Sequence, residues 1–293
     1  VTHSRAALRG LLETNSLAPR RDLGQNFVGD PNTVRRIAAL AAVGPGDHVV
    51  EVGAGLGSLT LALAEHGPSI TAIEVDHGIV PVLREVVAGL DNVTVREADA
   101  TDLDWAAALD PTVDGGWTLV ANLPYNVATP LVCDVLDHVM HVTRMVVMVQ
   151  REVAERFAAA PRTSAYGAVT VKAAYWGTAR VIGRVPASVF VPRPNVESAL
   201  VEIVRRDPPP TPPEPLFALV RAGFQQRRKM LRRSLADLVE PEDFSRAGVA
   251  PTSRPEELDV DAWCRLGDAR RARVDGAPAR PPAADDATSG GAR

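Results

Sequence analysis

The stretch "HVVEVGAGLGSLTLALAEH", His48 to His66, constrains the fold more than any other part of the chain. A short run rich in valine reads as a buried strand, and a run with apolar residues at helical spacing reads as a helix. Between them stand Gly53, Gly55 and Gly57. Glycine lets the backbone take positive φ and leaves no Cβ to hold a ligand away, so this turn can close round a bound molecule. The alternation continues on both sides. Asp30 and Pro31 read as the N-cap and first turn of a helix through "TVRRIAALAAV". After the glycine turn come a strand "ITAIEV", a helix "IVPVLREVVAGL", and strands "NVTVRE", "WTLVA" and "RMVVMVQ", with the helix "TPLVCDVLDHV" between the last two. A final pair, "ARVIGRV" and "SALVEIV", closes the sheet. Such alternation predicts an α/β fold, Rossmann-like, with a mostly parallel seven-stranded sheet and helices on both faces.

In an open sheet of this kind ligands bind across the carboxyl ends of the strands. Four residues fall there: Gly53 after the first of these strands, Glu74 at the end of the second, Asp99 after the third and Asn122 after the fourth. Glu74 stands about 20 residues beyond the glycine turn, where a carboxylate can accept from ribose hydroxyls. A dinucleotide fingerprint is GxGxxG; this turn is GxGxG preceded by Glu51, and resembles the first motif of S-adenosylmethionine-dependent methyltransferases. Asp99 could accept from an adenine amino group of such a cofactor. A glycine turn alone also fits a structural corner or a nicotinamide site.

Asn122 opens "NLPYN". An exocyclic amine on adenine is a poor nucleophile because its lone pair is delocalised into the ring. Acceptors that bond both of its N–H groups favour the rehybridised form that can attack a methyl group. The Asn122 side-chain oxygen and the Leu123 carbonyl are suitable acceptors, Pro124 fixes the turn, and Tyr125 can stack on the base. A bland reading also stands: "NLPYN" as a turn before the next helix, with Tyr125 covering core.

The character of the chain changes at "DPPPTPPEP", residues 207–215, which predicts an extended linker. Beyond it "LFALVRAGFQQRRKMLRRSLADLV" reads as one helix with a single apolar stripe. The formal net charge of −4 hides a cluster in which Arg205 to Arg233 hold eight basic and two acidic residues. Arg221, Gln225, Arg228 and Arg232 share a helical face, with Lys229 and Arg233 adjoining, so RNA phosphates could be tracked along it. Arg227 is assigned to the same RNA-binding set although it falls on the apolar stripe, where it could point toward the catalytic domain, and Arg20 and Arg21 extend the basic set. The predicted organisation is a catalytic domain over 1–206, the linker, a helical RNA-binding domain over 216–270 and a disordered tail over 271–293. Two distant cysteines, Cys133 and Cys264, predict reduced thiols with neither disulfide nor zinc knuckle, and His138 and His141 lack a partnering ligand cluster, so no metal is expected. With no apolar run near the length of about 20 residues that spans a bilayer, and no signal-like N-terminus, a cytoplasmic, monomeric protein without membrane partners is expected.

The blocks "DLGQNFVGD", "EVGAGLGSLT", "IEVD", "EADAT", "NLPYNVATPLV", "QREVAERFAAAPRTSAYGAVTV", "PASVFVPRPNVESALV" and "FQQRRKMLRRSL", in this order over residues 21–238, resemble the KsgA-type ribosomal RNA small-subunit adenine N6-dimethyltransferases. The resemblance implies a class I methyltransferase fold, S-adenosylmethionine as cofactor, the small-subunit precursor and its rRNA as partner, and dimethylation of two adjacent adenosines near the rRNA 3′ end. It assigns Asn26, Val28, Gly53, Glu74, Asp99 and Asn122 to the cofactor and Asn122, Leu123 and Tyr125 to the target base. Phe190 would sandwich that base from its other face; core packing is the alternative. The family usually has leucine where this chain has Val28. A macrolide-resistance type large-subunit methyltransferase and a non-catalytic assembly factor remain the rival readings.

Overall fold

The computed structural model describes residues 2–276. The chain divides into two compact units, one of Val1–Ala158 with Trp176–Asp207, the other of Ala159–Tyr175 with the chain from Pro208 on. In chain order the first unit holds α1 (Arg5–Thr14), β1 (Phe27–Val28), α2 (Pro31–Ala41), β2 (His48–Val52), α3 (Ser58–Ala64), β3 (Ser69–Glu74), α4 (Val80–Val87), β4 (Val93–Glu97), α5 (Trp105–Ala108), β5 (Trp117–Asn122), α6 (Ala128–His138), β6 (Val142–Gln150), α7 (Arg151–Phe157), β7 (Gly177–Val185), β8 (Phe190–Val191) and β9 (Ser198–Arg205).

Seven strands form one sheet in the order β4-β3-β2-β5-β6-β9-β7. The first five are mutually parallel, while β9 runs antiparallel to β6 and β7 antiparallel to β9. Strand order therefore reverses at β2, which pairs on one side with β3 and on the other with β5. Val52 stands opposite both Ile73 and Ala121, so the turns that follow β2, β3 and β5 leave the same edge side by side. The sheet holds this register because its valines and isoleucines are buried against α2, α3 and α4: Val34, Ile37, Leu63 and Leu83 pack with Val49, Ile70, Val120 and Val146. As expected, Asp30 caps α2 by accepting from the Thr33 amide at 3.0 Å.

Several elements escaped the sequence reading, among them β1, β8 and α1. β1 and β8 form a separate two-stranded ribbon, Phe27 opposite Val191 and Val28 opposite Phe190. α1 lies over the glycine turn, with Leu8 and Leu12 buried against Phe27, Leu56, Ile79 and Val82.

The second unit contains α8 (Ala168–Trp176, whose last residue belongs to the first unit), α9 (Pro213–Gln225), α10 (Leu231–Ser234), α11 (Pro241–Ala247) and α12 (Val260–Asp275). Residues 159–175 thus leave the expected 1–206 domain, because their aromatic rings complete this core: Tyr166 packs 6.1 Å from Phe224 and Tyr175 5.2 Å from Phe217. Their hydroxyls donate to the Leu258 and Thr211 carbonyls at 2.6 Å. The proline-rich stretch is also less free than a linker, since Thr211 is buried and donates to Asp268 at 2.8 Å. The single long helix expected over 216–239 breaks at Gln226. The amides of Leu231 and Arg232 bond the carbonyls of Ser253 and Pro251, which holds the chain off the helical path. α12 continues through Asp275, past the expected start of the tail at 271; the remainder of that tail, 277–293, lies outside the described residues.

Candidate active site

The turns after β2, β3, β4 and β5, together with the strap Asp22–Phe27, line two adjoining open clefts. The first is lined by Asn26, Gly53, Gly55, Glu74, Asn122, Leu123 and Tyr125 among others. The second shares Gly53, Leu123 and Pro124 and adds Asp99, between apolar walls of Val52, Ile73, Ala100, Val127 and Leu131. Most residues the sequence assigned to one site therefore do meet at one edge.

The glycine turn needs its glycines. Gly53 and Gly55 have φ of 72° and 56°, and a Cβ at Gly55 would stand 3.0 Å from the Phe27 ring. Glu74 is 5% exposed, and its carboxylate ties the turn down by accepting from the Gly55 amide at 2.7 Å and from those of Val75 and Asp76 at 3.1 and 3.0 Å. Burial pushes this carboxyl above its ordinary range while those amides pull the other way. Asp99, which lines the second cleft, accepts from the Thr101 amide and hydroxyl through Oδ1, leaving Oδ2 without a donor among the described residues.

Asn122 Nδ2 donates to the Asn26 carbonyl at 2.9 Å, which fixes the amide orientation and leaves Oδ1 to accept. Leu123 is buried and its amide donates to Met148 at 3.1 Å, while among the described residues no donor takes its carbonyl. Asn26 is braced in turn by donating to the Gly24 carbonyl at 3.0 Å. Tyr125 is held by a hydroxyl pair, its OH 2.8 Å from Oγ of the fully buried Ser198. Burial raises the Tyr125 phenol.

Val28 lines a smaller adjoining cavity with Glu51, Gly53 and Asn122. Phe190 is 1% exposed and packed in the sheet core with Val28 and Ile37, lining none of these three clefts.

Two residues carry more than the sequence reading gave them. Glu51, noted there only as preceding the glycines, is 1% exposed with Oε2 unpartnered, and burial with the nearby Glu74 pushes its carboxyl up to about 8. Ser198 had no local signal, since its partner lies 73 residues away.

In the second unit Arg221 on α9, Arg228 and Lys229 in the turn, and Arg232 and Arg233 on α10 are exposed and without side-chain ion pairs among the described residues. The break at Gln226 removes the continuous face expected of them. Arg227 is different: it pairs with Glu256 at 2.5 Å and donates to the Thr163 carbonyl at 3.1 Å, a tie within this unit. Arg20 pairs with Asp22. His138 pairs with Asp134, and among the described residues no group of three or more His, Cys, Asp or Glu could hold a metal. No helix there is long and apolar enough to cross a membrane.

Comparison with known proteins gives this geometry a context. The family model of the ribosomal RNA adenine dimethylases matches residues 17–269. Ribosomal RNA small subunit methyltransferase A of Bifidobacterium longum subsp. infantis is 41% identical over 289 residues, covering 92% of this chain and 94% of its own. That of Acidothermus cellulolyticus is 43% identical over 277 residues, covering 90% and 93%. Among solved structures, a dimethyladenosine transferase from Plasmodium falciparum superposes with a TM-score of 0.67 at 22% identity, over 81% of this chain and 94% of that one, a likeness of fold.

Proposed function

This chain belongs to the ribosomal RNA adenine dimethylase family, and from that premise we propose that Asn122, Leu123 and Tyr125 hold the target adenosine while Asn26, Val28, Gly53, Glu74 and Asp99 hold the cofactor. The enzyme dimethylates adenine N6 in small-subunit ribosomal RNA with S-adenosylmethionine. Within that activity we assign the targets as two adjacent adenosines near the rRNA 3′ end. We assign the protein as a monomer that works on the small-subunit precursor in the cytoplasm.

The residues present suit the cofactor. Gly53 and Gly55 keep the turn clear of side chains, Glu74 retains acceptor capacity for hydroxyls, Asp99 Oδ2 can take an amine, and the orphaned Oε2 of Glu51 is an acceptor without a donor. When bound, the cofactor supplies an electrophilic methyl group on a sulfonium. Everything else falls to the chain. The observation that carries the reading is the pair of open acceptors, Asn122 Oδ1 and the Leu123 carbonyl, in one cleft with Gly53 and Glu74. Both acceptors can bond the two N–H groups of one amine, which turns its lone pair out of the ring. Tyr125 offers a face for stacking, as sites that extrude a base require. No strong base is needed, because the nitrogen sheds its proton only after it has become cationic. The exposed arginines and lysine between Arg221 and Arg233 are assigned to rRNA phosphates.

Mass spectrometry of reconstituted small subunits incubated with S-adenosylmethionine tests this. Dimethyladenosine is expected with the wild type and none with Asn122→Ala; equal product from both removes Asn122 from its role. Label appearing only in large subunits would overturn the choice of substrate.

A further inference from the structure

A second basic surface lies on the catalytic unit itself, in a region the sequence reading left unassigned. Arg36 of α2 donates through Nη1 to the Arg184 carbonyl at 3.4 Å, near the end of β7. Arg5 of α1 donates through Nη2 to the Ser188 carbonyl. Arg9 stands one helical turn beyond Arg5. The pairing of β7 with β9 slips between Val181 and Gly183, and a Cβ at Gly183 would sit 3.3 Å from Arg36 Nη2. The bulge and its glycine thus make room for a guanidinium over the strand.

All four arginines are exposed, and none has a carboxylate partner among the described residues. Elsewhere in this unit Arg144 and Arg180 pair with Glu202 and Arg151 pairs with Glu197. Here the guanidinium of Arg36 is spent on the backbone next to another arginine, Asp30 is engaged in capping α2, and Glu13, one turn beyond Arg9, makes no ion pair among the described residues. Unpaired like charges held together repel, unless a polyanion shares them.

Their position relative to the site is fixed by strand pairing. Arg184 stands opposite Ala199, and Val185 opposite Ser198, the residue that holds Tyr125. The segment then runs into β8, whose Phe190 pairs with Val28, two residues from the Asn26 that anchors Asn122. The arginines therefore sit on the same edge of the sheet as the base site.

We propose that Arg5, Arg9, Arg36 and Arg184 form a phosphate-gripping rim that holds the rRNA backbone beside the extruded adenosine, separately from the arginines of the helical unit. This rests on the rRNA-methylating activity described above. A side chain that contacts phosphate contributes affinity and register without reading sequence. Its signature is salt dependence, about 0.7 to 0.9 in the slope of log affinity against log salt per phosphate contacted.

The test is the salt dependence of full-length protein binding to small-subunit precursor particles, with Arg36→Gln/Arg184→Gln against wild type. Two lost contacts should lower the slope by about 1.4 to 1.8, so the loss of affinity between 50 and 200 mM salt shrinks about 7- to 12-fold. The rRNA KM should rise while kcat and cofactor affinity stay unchanged, and Arg36→Lys/Arg184→Lys should restore most of the slope. Because the Arg184 side chain makes no hydrogen bond among the described residues, Arg184→Gln alone keeps the test alive if the double variant fails to bind cofactor; it should lower the slope by about 0.7 to 0.9. A wild-type slope and KM in a variant that still binds cofactor overturns the rim alone. Failure of the wild type to bind or methylate the particles would instead strike the functional reading.

Discussion

Glu51 makes the sharpest prediction about stability. Its carboxyl is 1% exposed, its Oε2 has no partner, and burial raises it from an ordinary 4.5 to about 8. In the unfolded chain the group ionises near 4.5, whereas in the fold it keeps its proton until about 8. Between those values the folded state binds more protons than the unfolded one, so stability falls as pH rises and levels off above the folded value. Each pH unit in that window costs at most about 1.4 kcal/mol, or about 2 to 3 kcal/mol from pH 5 to pH 7. Glu51→Gln keeps the shape and never ionises. Cofactor-free wild type and variant should be melted across this range, and the difference between their Tm values taken so that all other titrations cancel. At about 2–4 °C per kcal/mol the variant should gain about 5–10 °C on the wild type between pH 5 and pH 7. Parallel Tm curves would refute the neutral buried carboxyl.

Two further outcomes follow from geometry. Tyr125→Phe and Ser198→Ala should each lower kcat/KM for rRNA by about 5- to 10-fold, as one hydrogen bond of about 1–1.5 kcal/mol positions the ring, and the double variant should lose little more than either single one; additive losses in that steady-state cycle would mean the two hydroxyls act independently. Arg227→Ala should lower the stability of the helical unit by about 1 kcal/mol without changing the salt slope of RNA binding, whereas Arg228→Ala should flatten the slope and leave the Tm alone; melting curves and filter binding separate the two, and a flattened slope for Arg227→Ala would return that residue to the RNA surface.

What could be read from sequence was what is written locally. Valine-rich runs, a glycine turn and Asp30–Pro31 each specify conformation through neighbouring residues, so the seven strands and the shared edge of Gly53, Glu74, Asp99 and Asn122 were legible. The β1–β8 ribbon was not, because two residues leave no period to detect. The break at Gln226 was hidden because arginine, lysine and glutamine all suit a helix, and the cause of the break is a pair of distant carbonyls at Pro251 and Ser253. Phe190 shows the limit of motif reading: the sequence placed an aromatic near the site, and its burial on the β1–β8 ribbon is visible only in the fold. Ser198 is the converse, an ordinary serine made functional by a tyrosine on another strand's turn.

The second unit is assembled from two stretches of chain that synthesis makes far apart in time. Tyr166 and Tyr175 emerge before β7 and β9, yet the groups that receive their hydroxyl protons, the Leu258 and Thr211 carbonyls, emerge after them. Until then two buried-type rings wait in the open while the sheet around them can already close. A chain ending at Asp207 would keep every strand and still carry that unfinished core. Dividing this protein into separately produced halves therefore calls for moving residues 159–175 with the helical half and joining Ala158 to Trp176 in the other.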